Sequence, residues 1–144
     1  MGCSVTARVP NWEIELTNFA VGEVGRPFIW GETNCVSLAL RAFDSYLGTE
    51  FHKRWRHYMS TATRAAAFSR SEGLDGIVER LRSVGMQVVR PNFERTGDVR
   101  FCMTDDTIGA SVLLGRQCLS STVLEGVQLF DYRALESSVV IGVR

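Results

Sequence analysis

Hydrophobic spacing changes twice along this chain, and each change marks a different kind of element. Trp12, Leu16, Phe19 and Ala20 recur at helical intervals. They predict one buried stripe on a helix that starts at Trp12 behind an Asn11 cap and stops at Gly22–Gly25. The next stretch, Arg26-Pro27-Phe28-Ile29-Trp30-Gly31-Glu32, reads as extended chain. Pro27 fixes its own φ and disfavours the helical region for Arg26. Thr33 or Asn34 can then cap a second helix carrying Val36, Leu38, Ala39, Leu40, Ala42, Phe43, Tyr46 and Leu47, with Gly48 as its stop. A helix apolar around most of its circumference belongs in the middle of a domain.

Residues 50–85 continue in helical period. Phe51, Trp55 and Tyr58 mark a short piece, Thr61 to Phe68 another, and Leu74, Ile77, Val78 and Leu81 an amphipathic helix that ends at Gly85. From Met86 onward the period falls to two and β-branched residues dominate. Strands are predicted at 86–90, 98–103, 108–114, 117–123, 126–131 and 138–143. Their breaks fall at Pro91-Asn92, Asp105-Asp106, Gly115-Arg116, Glu125-Gly126 and Arg133–Glu136. Helices first and antiparallel strands afterwards define an α+β architecture, with the helices packed on one face of a sheet. The last strand, Ser138 to Val143, is a candidate to pair with the sheet edge of a neighbouring molecule.

Composition narrows the picture. A chain of 144 residues suits one domain, read here as 1–144 with residues 1–10 as an N-terminal arm, because two separate cores would each be marginal. With 45% hydrophobic and 22% charged residues it is neither disordered nor fibrous. Sixteen basic residues balance sixteen acidic ones. That argues against nucleic acid as a partner held by counterion release, and suits a subunit within an assembly. No apolar stretch approaches the ~20 residues of a membrane span. The cysteines, Cys3, Cys35, Cys102 and Cys118, form no CxxC pair, so no metal site or cofactor is expected. A Cys102–Cys118 disulfide between neighbouring strands stays open.

The chemistry-bearing residue is Cys35. It falls in the first turn of the central helix, where backbone N–H groups lack partners and the helix dipole is positive. A thiol there is expected to have a lowered pKa, and the free N–H groups are able to hold an oxyanion. A cysteine at the start of a buried helix, followed by an antiparallel sheet, is the layout of a papain-like peptidase.

The run Trp12…Asn18-Phe19-Ala20, then Pro27-Phe28-Ile29-Trp30-Gly31-Glu32-Thr33-Asn34-Cys35, Gly73-Leu74 and Gly97-Asp98-Val99, resembles phage tail (tail-tip) proteins related to the NlpC/P60 papain-like cysteine peptidases. The likeness runs from about Trp12 to about Gly115, and its specific part is the Pro-Phe-(aliphatic)-Trp-Gly block ahead of a cysteine. It implies that Cys35 stands in the nucleophile position, that a histidine on a following strand serves as base, and that a third polar residue orients the imidazole. Where the family shows His-(aliphatic)-Gly-(aliphatic), this chain has Gly109-Ala110-Ser111-Val112-Leu113-Leu114-Gly115, or a slightly shifted alignment of it, and no histidine follows His57. General acid–base help worth roughly 10²–10⁴ in rate is then missing.

Other residues invite roles and have plainer readings. His52 and His57 sit in the basic and aromatic run Phe51-His52-Lys53-Arg54-Trp55-Arg56-His57-Tyr58, read as a solvated helix face or protein interface rather than a replacement base. Asp105 and Asp106 read as turn residues. Trp12, Phe28 and Trp30 read as packing around the Cys35 helix start. Ser120, Ser121 and Thr122 lie where a third polar residue would project, and read as strand residues. The resemblance implies a structural subunit of a bacteriophage tail tip with a degenerate cysteine-peptidase fold, Cys35 being vestigial. Its partners would be other tail-tip or hub proteins, and it would reside in the virion after synthesis in the bacterial host cytoplasm. The alternative is an active cell-wall peptidase acting on peptidoglycan, with its base supplied by His52, His57 or an adjoining subunit.

Overall fold

The computed structural model of the chain describes residues 7–132 and 139–144. Helix α1 spans Trp12–Glu23, α2 Cys35–Leu47 and α3 Phe51–Trp55, followed by a 3-10 turn at Arg56–Met59, then α4 Ala62–Ser71 and α5 Gly73–Ser83. Strands β1 Gln87–Val89, β2 Val99–Thr104, β3 Thr107–Leu114, β4 Gln117–Thr122, β5 Gly126–Asp131 and β6 Val139–Gly142 form one antiparallel sheet in the order β1-β6-β2-β3-β4-β5. The α+β expectation holds, and the strands lie within a residue or two of their predicted places. The predicted break at Arg133–Glu136, the start of the last strand at Ser138, Cys3 and most of the 1–10 arm fall outside the described residues.

The core forms where α2 meets the sheet. Leu38, Ala39, Ala42, Phe43 and Tyr46 have no exposed surface. They pack with Val99 and Phe101 of β2, Ile108, Ala110 and Val112 of β3, Leu119 of β4, Val127 of β5 and Ile141 of β6. Alternation puts these strand residues on one face of the sheet. Burying one side chain of the Phe43 class contributes about 1.5–3 kcal/mol.

Helix α1 ends at Glu23, between the two glycines expected to stop it, with Gly25 at φ 93°. Two local details depart from expectation. Asn11 adopts a left-handed conformation (φ 59°) and its side chain caps nothing; its carbonyl instead accepts from the N–H groups of Ile14 and Glu15. The last strand does not offer an edge to a neighbour, because β6 lies inside the sheet with β1 on one side and β2 on the other.

Two ionic contacts tie the layers together. Buried Glu23, at the end of α1, accepts from Arg26 (3.0 Å) and from Arg41 of α2, while Arg26 also reaches Glu32 at 3.2 Å. Burial alone would raise the Glu23 carboxyl pKa, but hydrogen bonds and charge from Arg41 and Arg26 outweigh it and hold it below the ordinary carboxylate range. At the other end of the domain, fully buried Asp98 is clasped by Arg144 at 2.7 Å and accepts from the Arg95 N–H at 2.7 Å. The preceding Gly97 has φ 95°, and a Cβ there would stand 3.1 Å from the Tyr46 hydroxyl, which donates to the Gly97 carbonyl. Only glycine combines that backbone with that approach. The Gly97-Asp98-Val99 turn thus anchors α2 to the opening of β2.

Candidate functional site

The segment ahead of Cys35 is folded on itself. Thr33 Oγ1 accepts from the Ile29 N–H at 2.7 Å and donates to the Pro27 carbonyl at 2.6 Å. Asn34 Oδ1 accepts from the Gly31 N–H at 2.9 Å, and the Ile29 carbonyl takes the N–H groups of Glu32, Thr33 and Asn34. Gly31 holds φ 79° with the Ser60 backbone 3.3 Å from where a Cβ would sit. Thr33 and Asn34 are therefore both spent on the loop, and neither side chain caps α2. Cys35 becomes the first residue of the helix, beside N–H groups that neither Thr33 nor Asn34 caps.

What the thiol meets is the edge of β3. Strand β4 pairs with β3 only over Val112–Leu114. Farther along the same edge, at Ile108 and Ala110, side chains replace the missing strand. Ser69 Oγ of α4 accepts from the Ile108 N–H at 3.1 Å. Cys35 Sγ lies 3.9 Å from the Ile108 carbonyl oxygen, to which its S–H donates. Ser120 Oγ of β4 donates to the Ala110 carbonyl at 2.7 Å. Buried backbone groups need partners, and here the cysteine is one of three side chains that supply them.

That environment reverses the expected shift. Burial pushes the Cys35 thiol up; hydrogen bonds from the backbone of Ala110, Val36 and Cys35 itself pull the other way without prevailing, and the neighbouring Cys102 adds to the rise. A helix start lowers a thiol pKa where the sulfur stays solvated; here packing against the sheet desolvates it and outweighs the backbone N–H groups. The resting form is the protonated thiol, a hydrogen-bond donor and a poor nucleophile.

Neither histidine of the chain stands beside the sulfur. His52 Nε2 donates to the Gly31 carbonyl at 2.6 Å, which pins α3 to the loop before Cys35. His57 is exposed and packs on the ring of Tyr58, centroids 4.0 Å apart. Gly109, which opens the run that the resemblance aligns with the family's histidine strand, directly or with a slight shift, lies between the two β3 residues nearest Cys35. A Cβ there would stand 3.1 Å from Cys102 Sγ. Asp105 and Asp106 form the β2–β3 turn, with φ 50° and 64°.

The remaining sequence candidates separate. Ser120 is joined to the Cys35 surroundings through Ala110, whereas Ser121 Oγ is buried without a hydrogen-bond partner among the described residues and Thr122 Oγ1 accepts from the Glu125 N–H in a turn. Phe28 and Trp30 meet edge to face at 4.9 Å in the loop before α2. Trp12 does not belong to the helix start: it packs on Tyr46 near the other end of α2, rings 5.6 Å apart. Cys102 and Cys118 are free thiols, set on β2 and β4 with β3 between them, so the open question of their pairing is answered by the strand order. Sequence reading missed Ser69, whose partner lies 39 residues away. Nothing in a helical serine's local pattern signals such a contact.

The arrangement has one half of a hydrolytic centre. Free N–H groups at the start of α2 are suited to an oxyanion, but no described group is placed to take the thiol proton or to return one to a leaving amine.

With this geometry in hand, a family model described as a domain of unknown function (DUF6950) matches residues 7–138. The chain belongs to that family. No curated protein matches it. Among solved structures, this DUF6950 domain is similar to the NlpC/p60 domain of the peptidoglycan hydrolase SagA, with a TM-score of 0.58 and 12% identity over 91% of this chain and 98% of that one. RipD of Mycobacterium tuberculosis, titled a non-catalytic NlpC/p60 domain protein adapted to peptidoglycan binding, gives a TM-score of 0.49 and 18% identity over 94% and 98%. At such identities the SagA likeness establishes the fold of the DUF6950 chain as NlpC/P60-like, and fold alone does not carry activity.

Proposed function

We propose that this chain is a structural subunit of a bacteriophage tail tip, built on an NlpC/P60-like scaffold whose cysteine no longer hydrolyses. The observation that carries the loss of catalysis is the engagement of Cys35: its thiol is a donor to the Ile108 carbonyl, not a partner of an imidazole. The tail assignment is supported by the Pro27-to-Cys35 block and the Gly97-Asp98-Val99 turn, which resemble tail-associated members of that peptidase group. Balanced charge suits a subunit docked among others, since little self-repulsion keeps such molecules apart. In this reading the partners are other tail-tip or hub proteins, and the protein travels in the virion.

The test is genetic and chemical together. Phage carrying Cys35→Ala are expected to plate like wild type, while phage lacking the gene assemble no functional tails. Peptidoglycan fragments incubated with the purified protein are expected to gain no amine ends. Loss of infectivity with Cys35→Ala, in particles that assemble normally, would restore the peptidase reading. Normal tails without the gene would remove the structural role.

A further inference from the structure

A basic surface unrelated to Cys35 runs across α3, the 3-10 turn and α4. Between residues 52 and 70 the chain holds Lys53, Arg54, Arg56, Arg64 and Arg70, two histidines, and no aspartate or glutamate. In a protein of zero net charge this is a strong local imbalance. All five cations are exposed, and among the described residues none of them takes part in a salt bridge. Arg26, Arg41, Arg80 and Arg144 each meet a carboxylate. Arg8, Arg82, Arg90, Arg95, Arg100 and Arg116 resemble the five in forming no salt bridge among the described residues, so it is the absence of acidic residues across 52–70 that marks this surface.

A cleft of about 340 Å³ opens within this surface, between the 3-10 turn and α4. Its apolar part is made by Tyr58, Phe68 and Ala67, with the Tyr58 and Phe68 rings 4.8 Å apart, and its rim by His57, Arg64 and Ser71. Glu72 also borders it, but both carboxylate oxygens of Glu72 are held by Arg80 at 2.6 and 2.8 Å. The cleft therefore presents an aromatic floor with Arg64 as the one unpaired cation in its lining among the described residues.

We propose that this face docks an acidic peptide segment of another protein, one aromatic or aliphatic side chain of which enters the cleft while flanking carboxylates meet Arg56 and Arg64. Charge complementarity selects an acidic partner. Guanidinium groups suit carboxylates through paired donors, and a buried anchor within a charged rim is the usual anatomy of a protein interface. A phosphate polymer fits less well, since it has no apolar side chain to fill the cleft and the overall neutral protein offers no long-range attraction. The proposal extends the assembly reading above without needing it, for it makes no use of the tail assignment or of Cys35.

The test uses the full chain and two short oligoglutamate peptides of equal charge, one with a single central phenylalanine and one with serine there. Binding is followed by changes in the Trp55 and Tyr58 signals. The phenylalanine peptide is expected to bind about 10-fold more tightly than the serine peptide, and more weakly as salt rises. Arg56→Glu with Arg64→Glu should weaken both peptides by about 10-fold or more. Ala67→Trp, which fills the cleft and keeps the charge, should abolish only the preference for phenylalanine. Thermal melts of both variants monitor folding, and Cys35→Ala should bind as wild type does. Equal affinity for the two peptides, indifference to both variants, or tighter binding of an oligonucleotide of matched charge would overturn the proposal.

Discussion

The Cys35 sulfur stands 3.9 Å from the carbonyl oxygen of Ile108 and donates to it. This contact crosses from the first residue of the central helix to the edge of the third strand, in surroundings whose burial raises the thiol pKa. A donor must keep its proton, and burial favours keeping it. Alkylation of Cys35 by iodoacetamide is therefore expected to rise with pH around a midpoint above the ordinary thiol value of about 8.5. A midpoint below about 7.5 would mean an activated thiolate and would contradict the assignment. Peptide mapping distinguishes Cys35 from the partly exposed Cys102.

The same contact makes a stability prediction. Cys35→Ala leaves the Ile108 carbonyl without that donor and opens a small void, at a cost of about 1–3 kcal/mol in urea unfolding. Cys35→Ser keeps a donor and should cost less. Because the folded state holds the thiol proton more tightly than the unfolded chain, the advantage of wild type over Cys35→Ser should shrink as pH rises past the unfolded thiol value of about 8.5. An advantage that grows in alkali would reverse the sign of the assigned shift.

The Glu23 cluster predicts acid sensitivity. Glu23→Gln leaves Arg41 and Arg26 without their carboxylate and should cost about 2 kcal/mol at pH 7. A carboxyl held below its unfolded value contributes fully above about pH 4.5, and its contribution is lost as pH falls through the folded value. Urea melts of wild type and Glu23→Gln should therefore converge near pH 3. A difference that persists unchanged at that pH would show that Glu23 acts through packing alone.

At Asp98, the prediction concerns an unpaired charge. Arg144→Ala removes the guanidinium from a carboxylate with no exposed surface, leaving it the Arg95 N–H. The expected loss is about 3 kcal/mol or more, because a buried charge stripped of its partner is costly. Replacing both residues, as Asp98→Asn with Arg144→Ala, should recover part of it. If the double variant is no better than the single one, the clasp is not an electrostatic pair.

Much of the architecture was legible because periodicity reports burial directly. The shift from helical spacing to alternation at Met86 placed the helix-to-sheet boundary, and the all-round apolar pattern of Val36–Leu47 identified the central helix. Asn11 misled because capping depends on backbone conformation, which residue type suggests but does not impose. The place of the last strand was illegible for another reason: its alternating pattern fixes a strand, while its partners on both edges come from residues 87–89 and 99–101, far away in sequence. At the site, Cys35 was visible from its position after the Trp30-Gly31 turn and from its resemblance. The sign of its pKa shift was not, because that comes from burial against the sheet, with a further rise from Cys102, and the fold sets both. Ser69 and Ser120 were silent as site neighbours for the same reason.

The decisive measurement is the release of amine ends from defined peptidoglycan fragments by wild-type protein and by Cys35→Ala, side by side, at neutral and alkaline pH. A protonated, backbone-bound thiol with no imidazole predicts no release from either. Release by wild type that disappears in Cys35→Ala would contradict it.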